Sequence, residues 1–307
     1  MINKSIFTLA VLFMLFCSSA FAGEIVAWGD WKGGQCDVPS PNTGFVTIVA
    51  GGYHNLGLKA DGSVVTWGRN DYGQCDVPTG NDFVEFSAGD TFTIGLKSDG
   101  SILAWGYNSR GQCDVPLGND FIAIDGGYYH SLALKSNGSI VAWGHNDYGQ
   151  CDVPTGNDFI DIEGGGWHSL ALRSNGSLIA WGGNEYGQID VPTGNDYVAI
   201  ASGLWHSLAL KADGSIVGWG HNGDGQCNVP TGNDFISIAA GDQYSLALRS
   251  NGSLIAWGWN EYGQCNVPTG NDFVAIAAGY NHGLALTPEP ATLLLLGLGG
   301  LMLRKRR

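Results

Sequence analysis

The sequence predicts an all-β, seven-bladed β-propeller with about three strands per blade, its last blade closed by the N-terminal strand. Three observations predict it: a repeat of constant length, strand-like alternation within each copy, and a chain that begins and ends partway through a unit. Trp-Gly pairs begin at Trp28, Trp67, Trp105, Trp143, Trp181, Trp219 and Trp257, a spacing of 39 residues once and 38 thereafter. A period of that size marks a repeat architecture, in which each copy is one supersecondary unit that needs its neighbours for a core.

One copy can be read from Phe159. Phe159-Ile160-Asp161-Ile162 and then His168-Ser169-Leu170-Ala171-Leu172 alternate apolar with polar or small residues, the period of a strand. Asn175-Gly176 supplies a hairpin turn, because it readily takes positive φ, and Leu178-Ile179-Ala180-Trp181 is the third strand. There are seven first, second and third strands but six such turns. The chain opens on a third strand (24–28) and its last strand is a second one (282–286). A closed ring explains that split, since the N-terminal strand then completes the last blade and leaves no open edge. The segment Gln150-Cys151-Asp152-Val153 is a candidate short fourth strand.

Both ends read as processing signals. Lys4, the apolar stretch Ile6 to Phe16, and Ala20-Phe21-Ala22 form a secretory signal over 1–22, with cleavage before Gly23. Cys17 invites a lipoprotein reading, which the bulky Phe16 before it argues against. At the other end, Pro288-Glu289-Pro290, the apolar run Ala291 to Leu303 and Arg304-Lys305-Arg306-Arg307 occupy 288–307. The apolar run is short for a span of about 20 residues, so it reads as a transient membrane handle, and the basic tail obeys the positive-inside expectation. This order resembles the PEP-CTERM sorting signals of Gram-negative bacteria, which implies an exosortase-type processing partner and an extracellular, surface or matrix location. The domain between the signals is 23–287. Trimming both ends, with Glu289 retained, leaves nine basic against 28 acidic residues, a formal charge of −19. No basic patch is visible, so nucleic acid is not expected as a partner.

The repeat pattern Ala-Trp-Gly-x-Asn-x-x-Gly-Gln, then Val-Pro, then Ala-x-Gly-x-x-His-Ser-Leu-Ala-Leu-Lys resembles the regulator of chromosome condensation repeat. Its length is similar to the compact bacterial version found in propeller-type β-lactamase inhibitors. The resemblance implies a propeller and, from the inhibitors, a protein ligand; their target does not transfer, because the variable residues differ.

Positions shared by nearly all copies read as scaffold. The Trp-Gly tryptophans are expected between blades, and the Gly-Gln pairs in the connections. Six cysteines (Cys36, Cys75, Cys113, Cys151, Cys227 and Cys265) share a position that Ile189 fills once, so they are expected as free, buried thiols. His54, His130, His168, His206 and His282 share a position with Phe92 and Tyr244. That substitution points to a required ring rather than a donor, and ligands spread around a circle do not converge on a metal. No metal, cofactor or catalytic residue is expected.

Strand parity places the variable positions on one face. In the Gly-x-x-His loops they include Tyr53, Asp90, Tyr128, Tyr129, Trp167, Trp205, Asp242 and Tyr280; after the Trp-Gly pairs they include Tyr107, His145, His221 and Trp259. Exposed aromatics on rigid loops suit recognition, whereas the same residues folded over the channel would plug it. The expectation is a monomeric, exported, non-catalytic binding protein using this face for a protein ligand. An extracellular polysaccharide ligand is the alternative. A polysaccharide-active enzyme ranks third, because no carboxylate pair or nucleophile motif stands apart from the repeat.

Overall fold

The computed structural model describes residues 22–80 and 82–289. The signal segment to Phe21 and the sorting segment from Pro290 lie outside the described residues. Strand β1 (Gly23–Gly29) comes first. It is followed by β2 to β4 (Phe45–Ala50, His54–Lys59, Val64–Gly68), β5 to β7 (Phe83–Ala88, Phe92–Lys97, Ile102–Gly106) and β8 to β10 (Phe121–Gly126, His130–Lys135, Ile140–Gly144). Then come β11 to β13 (Phe159–Gly164, His168–Arg173, Leu178–Gly182), β14 to β16 (Tyr197–Ser202, His206–Lys211, Ile216–Gly220) and β17 to β19 (Phe235–Ala240, Tyr244–Arg249, Leu254–Gly258). The last two are β20 (Ala275–Ala278) and β21 (His282–Pro288).

Five of these triplets are separate three-stranded antiparallel sheets, and one six-stranded sheet has the order β20-β21-β1-β2-β3-β4. Within it β1 and β21 pair along seven residues, from Gly23 with Pro288 to Gly29 with His282, whereas β1 meets β2 through the single pair Gly23 with Phe45. The N-terminal strand therefore closes the C-terminal sheet, as the split unit predicts, with both strands running past the predicted ends.

The turns follow the sequence. Gly176 has φ +82°, the left-handed region that glycine occupies without a Cβ clash. Asn175 Oδ1 accepts from both the backbone N–H (2.9 Å) and the hydroxyl (2.7 Å) of Ser177. The candidate fourth strand is not one. Residues 150–153 are a turn and irregular chain, with Val153 N–H donating to the Cys151 carbonyl at 2.9 Å.

Neighbouring sheets are joined by a repeated polar relay. The Gln150 carbonyl accepts from Trp181 Nε1 (2.8 Å) and Ser169 Oγ (2.9 Å), both on the next unit. His130 Nε2 lies 2.9 Å from the same Ser169 hydroxyl. That hydroxyl spends its proton on Gln150, so the neutral His130 carries its own on Nε2 and donates it. The relay passes through the chain ends: Trp28 Nε1 donates to the Gln264 carbonyl (2.9 Å), and His282 Nε2 lies 2.7 Å from Asn55 Oδ1.

This corrects the reading of the histidines. All five are fully buried and each bonds the following unit through Nε2. The position wants a ring and a donor, and Tyr244 meets the need by donating its hydroxyl to the His282 carbonyl, while Phe92 supplies the ring alone. Burial holds His54, His130, His206 and His282 down to about 3 and His168 to about 4. The thiols need a second correction: all six are free but half-buried. They sit in the turn after Gly-Gln, outside the sheets, where Cys151 Sγ donates to the His145 carbonyl at 3.3 Å.

A candidate recognition face

Each Gly-x-x-His loop is closed by its own backbone, as where Gly165 N–H donates to the His168 carbonyl at 2.9 Å. The second variable residue of the loop then accepts from the residue after the Trp-Gly pair. Gly183, His145 and His221 donate to the carbonyls of Trp167, Tyr129 and Trp205 at 2.8 to 2.9 Å. Backbone bonds alone thus bring the two variable sets onto one face, and no side chain is needed to build it.

Their side chains pack against one another. Trp167 is the hub, with ring centroids 5.4 Å from Tyr128, 6.2 Å from Tyr129, 5.3 Å from His145 and 6.0 Å from Trp205. Tyr107 extends the array from Tyr129 at 6.0 Å. Tyr128 also stacks on Tyr280 from the last unit, 5.6 Å apart and 15° from parallel, and Tyr280 meets Tyr53 edge-on at 5.4 Å. Two of the predicted aromatics therefore meet over the channel, and the plug and the platform are parts of one array.

The expected exposure needs correcting. Asp90 and His145 are buried, at 6% each, and the other ten predicted residues are half-buried. His145 is held by Gln150 Nε2 donating to its Nδ1 (2.7 Å) and by Asp147 at 3.0 Å from its Nε2. Burial pushes the Asp90 carboxyl up to about 6, against the pull of the Tyr280 and Thr91 hydroxyls, and raises Asp242 too. Trp259 packs edge-on against Tyr262 at 5.3 Å, apart from the Trp167 array.

Sequence reasoning missed the outer rim. Tyr148 and Tyr186 are exposed and pack on Trp167 and Trp205, each at 5.4 Å, and Tyr186 also meets His221 at 4.8 Å. Exposed Tyr72 meets Tyr107 at 4.7 Å. These tyrosines precede the Gly-Gln pairs, so their recurrence made them look like scaffold; their absence at Gly33, Arg110 and Asp224 was the available signal.

Comparison with known proteins identifies the repeat. The model of the regulator of chromosome condensation (RCC1) repeat matches residues 45–74, 83–112, 121–150, 159–188, 197–226 and 235–264, and the PEP-CTERM protein-sorting motif matches 286–307. That motif marks the chain for export and implies exosortase processing. Yeast RCC1 (Prp20), solved bound to Kap60, is similar with a TM-score of 0.75 at 18% identity, covering 90% of this chain and 92% of that one. Human WBSCR16 gives 0.72 at 17% identity, covering 87% and 99%. The ectodomain of the Physcomitrella patens receptor kinase CR4 gives 0.64 at 24% identity, covering 76% and 68%. At these identities the likeness is one of fold. No curated protein sequence matches. Six matched repeats span more than half of the sequence, and the chain belongs to the regulator of chromosome condensation (RCC1) repeat family.

Proposed function

We propose that this chain is an exported, non-catalytic binding protein whose aromatic face recognises a protein ligand at the cell surface or in the matrix. In this reading the six-stranded sheet counts as two blades, β20-β21-β1 and β2-β3-β4, making seven in all. The binding domain is 23–287, with 1–22 and 288–307 removed or handled during export. The observation that carries the reading is the continuous half-buried array centred on Trp167, built on positions that vary between repeats and held by backbone bonds that do not. Half-exposed Trp and Tyr on rigid loops offer large contact area at little entropic cost. Trp167, Trp205, Tyr129 and Tyr107 form the central platform, with Tyr128, Tyr280 and Tyr53 at its axial end. Asp90, Asp242, His145, His221 and Trp259 complete the face.

The test is capture from the native envelope with the mature domain as bait. Trp167→Ala with Trp205→Ala should abolish a capture that the unaltered domain makes, with folding checked by thermal melting. Capture unchanged by both substitutions would sink the assignment. A glycan array run with the same pair of proteins distinguishes a polysaccharide ligand from a protein.

A further inference from the structure

Six second strands run into their third strands through an Asp-Gly or Asn-Gly turn. Beyond β21 there is no such turn, and the two chain ends stand in its place. Gly23 pairs with Pro288 on one side and with Phe45 on the other. Ala22 is 9% exposed, and its carbonyl accepts from the Glu289 N–H at 2.9 Å. A Cβ on Gly23 would collide with the Thr287 carbonyl oxygen, so this close approach requires glycine.

The neighbouring loop is shaped to the same seam. The single 39-residue step of the repeat falls here, in Ser40-Pro41-Asn42-Thr43-Gly44. Asn42 holds the edge of β1: its Oδ1 accepts from Ile25 N–H and its Nδ2 donates to the Ile25 carbonyl, each at 2.8 Å. In five units the aromatic at the head of a first strand donates its N–H to the carbonyl of the preceding turn's glycine, as Phe159 does to Gly138 at 3.1 Å. At the seam no such glycine exists, and Gly44 N–H donates instead to Glu289 Oε1 at 2.8 Å. The Glu289 side chain therefore reaches from the end of β21 across the start of β1 to the loop before β2.

Pro288 and Glu289 are thus parts of the folded domain, although the sorting-motif match begins at 286. Hydrolysis of the Ala22–Gly23 bond would put a carboxylate on the departing signal and a protonated amine on Gly23. That cation would stand where the Glu289 side chain crosses β1. A carboxylate with one oxygen on Gly44 has capacity for a second, charged donor. The other charged groups around the seam are placed elsewhere. Lys59 donates to the Pro41 carbonyl at 3.1 Å with its ammonium over the Phe45 ring, and Glu24 and Asp61 are exposed.

We propose that Glu289 is one half of a latch made by processing: it binds the α-ammonium of Gly23, seals β1 between β21 and β2, and is spared by C-terminal trimming. The latch presupposes cleavage before Gly23, as the signal over 1–22 predicts. It raises the pKa of the new amine above the ordinary value of about 7.8. Its stabilisation is therefore fully present below that pH and is lost as pH rises through the raised folded value. The seam is separate from the aromatic face, so failure of one reading leaves the other standing.

Two measurements test it. The intact mass of the protein recovered from the native envelope should give Gly23 as the first residue and a last residue at or beyond Glu289. A different first residue removes the cleavage reading and the latch with it, whereas a last residue before Glu289 overturns the latch alone. The second measurement is an NMR titration of the Gly23 Cα in the domain 23–292, whose own terminal carboxylate lies beyond Glu289. The amine should hold its proton at least about threefold more tightly than an ordinary α-amino group. Glu289→Gln should abolish that increase, and Asp61→Asn, in the exposed turn after β3, should leave it. An ordinary titration in the unaltered domain, or an equal loss with Asp61→Asn, would overturn the proposal. Retained melting curves keep a lost latch from being a lost fold.

Discussion

The Trp-Gly tryptophans and the loop tryptophans are the same residue put to opposite uses. Trp143 is 9% exposed and gives its indole N–H to the Gln112 carbonyl of the preceding unit at 2.8 Å. Trp167 is half-buried, packed on rings, and takes part in the sheet network through its backbone carbonyl alone. Residues at the second kind of position can change without touching the first. That is how a near-symmetric ring acquires an asymmetric face.

Stability measurements should separate the two. Trp143→Ala should cost about 3–5 kcal/mol in chemical denaturation, from lost core volume and the loss of one of the two hydrogen bonds to the Gln112 carbonyl. Trp167→Ala should cost about 1 kcal/mol or less; comparable losses would erase the distinction.

Acidity offers a second contrast, between the channel and the relay. Burial and neighbouring carboxylates push Glu85 up to about 8 and Asp161 to about 7, and hold Glu163 well above the usual carboxylate range. In the unfolded chain these groups ionise near pH 4. Their contribution is therefore fully present below about pH 4 and is lost as pH rises towards 8. Asp161→Asn should accordingly raise stability at pH 8 by on the order of 2 kcal/mol, and change little at pH 3.5. The buried histidines act in the reverse sense. Their folded values lie near 3 to 4, so they lower stability as pH falls from about 6.5. His168→Phe, which copies Phe92, should flatten that acid limb and cost about 1 kcal/mol at neutral pH for the lost bond to Ser207.

The smallest effect is expected at the thiols. Cys151→Ile, which copies Ile189, should shift stability by no more than about 0.5 kcal/mol. Burial raises the six thiols to about 11 or 12, so alkylation of the folded domain at pH 8 should be slow compared with the unfolded chain.

The fold was legible because each copy restates the same local instructions: Asn-Gly or Asp-Gly at the turn, alternation in the strands, and a unit split between the chain ends. That the variable positions share one face was legible from strand parity. Their exposure was not, because Tyr128 and Tyr280 meet through a contact between the third and last units that no local pattern encodes. The acidic lining of the channel, Glu85, Asp125, Asp161 and Glu163, was hidden by its own regularity. In Phe159-Ile160-Asp161-Ile162 the polar member of the alternation looks solvent-facing, yet in a closed ring that side of the first strand faces the axis.

The pairing of β1 with β21 sets an order of events in time. Glu24 and Thr287 are neighbours separated by 263 residues. Closing so long a loop costs roughly 2 kcal/mol more than closing one repeat, a modest equilibrium term with a large kinetic meaning. The first strand to leave the ribosome must wait, unpaired, for the last. Until then the nascent chain carries a bare strand and an open sheet edge, the features that invite pairing with another chain. An exported protein built this way gains from being kept unfolded until its final strand is available.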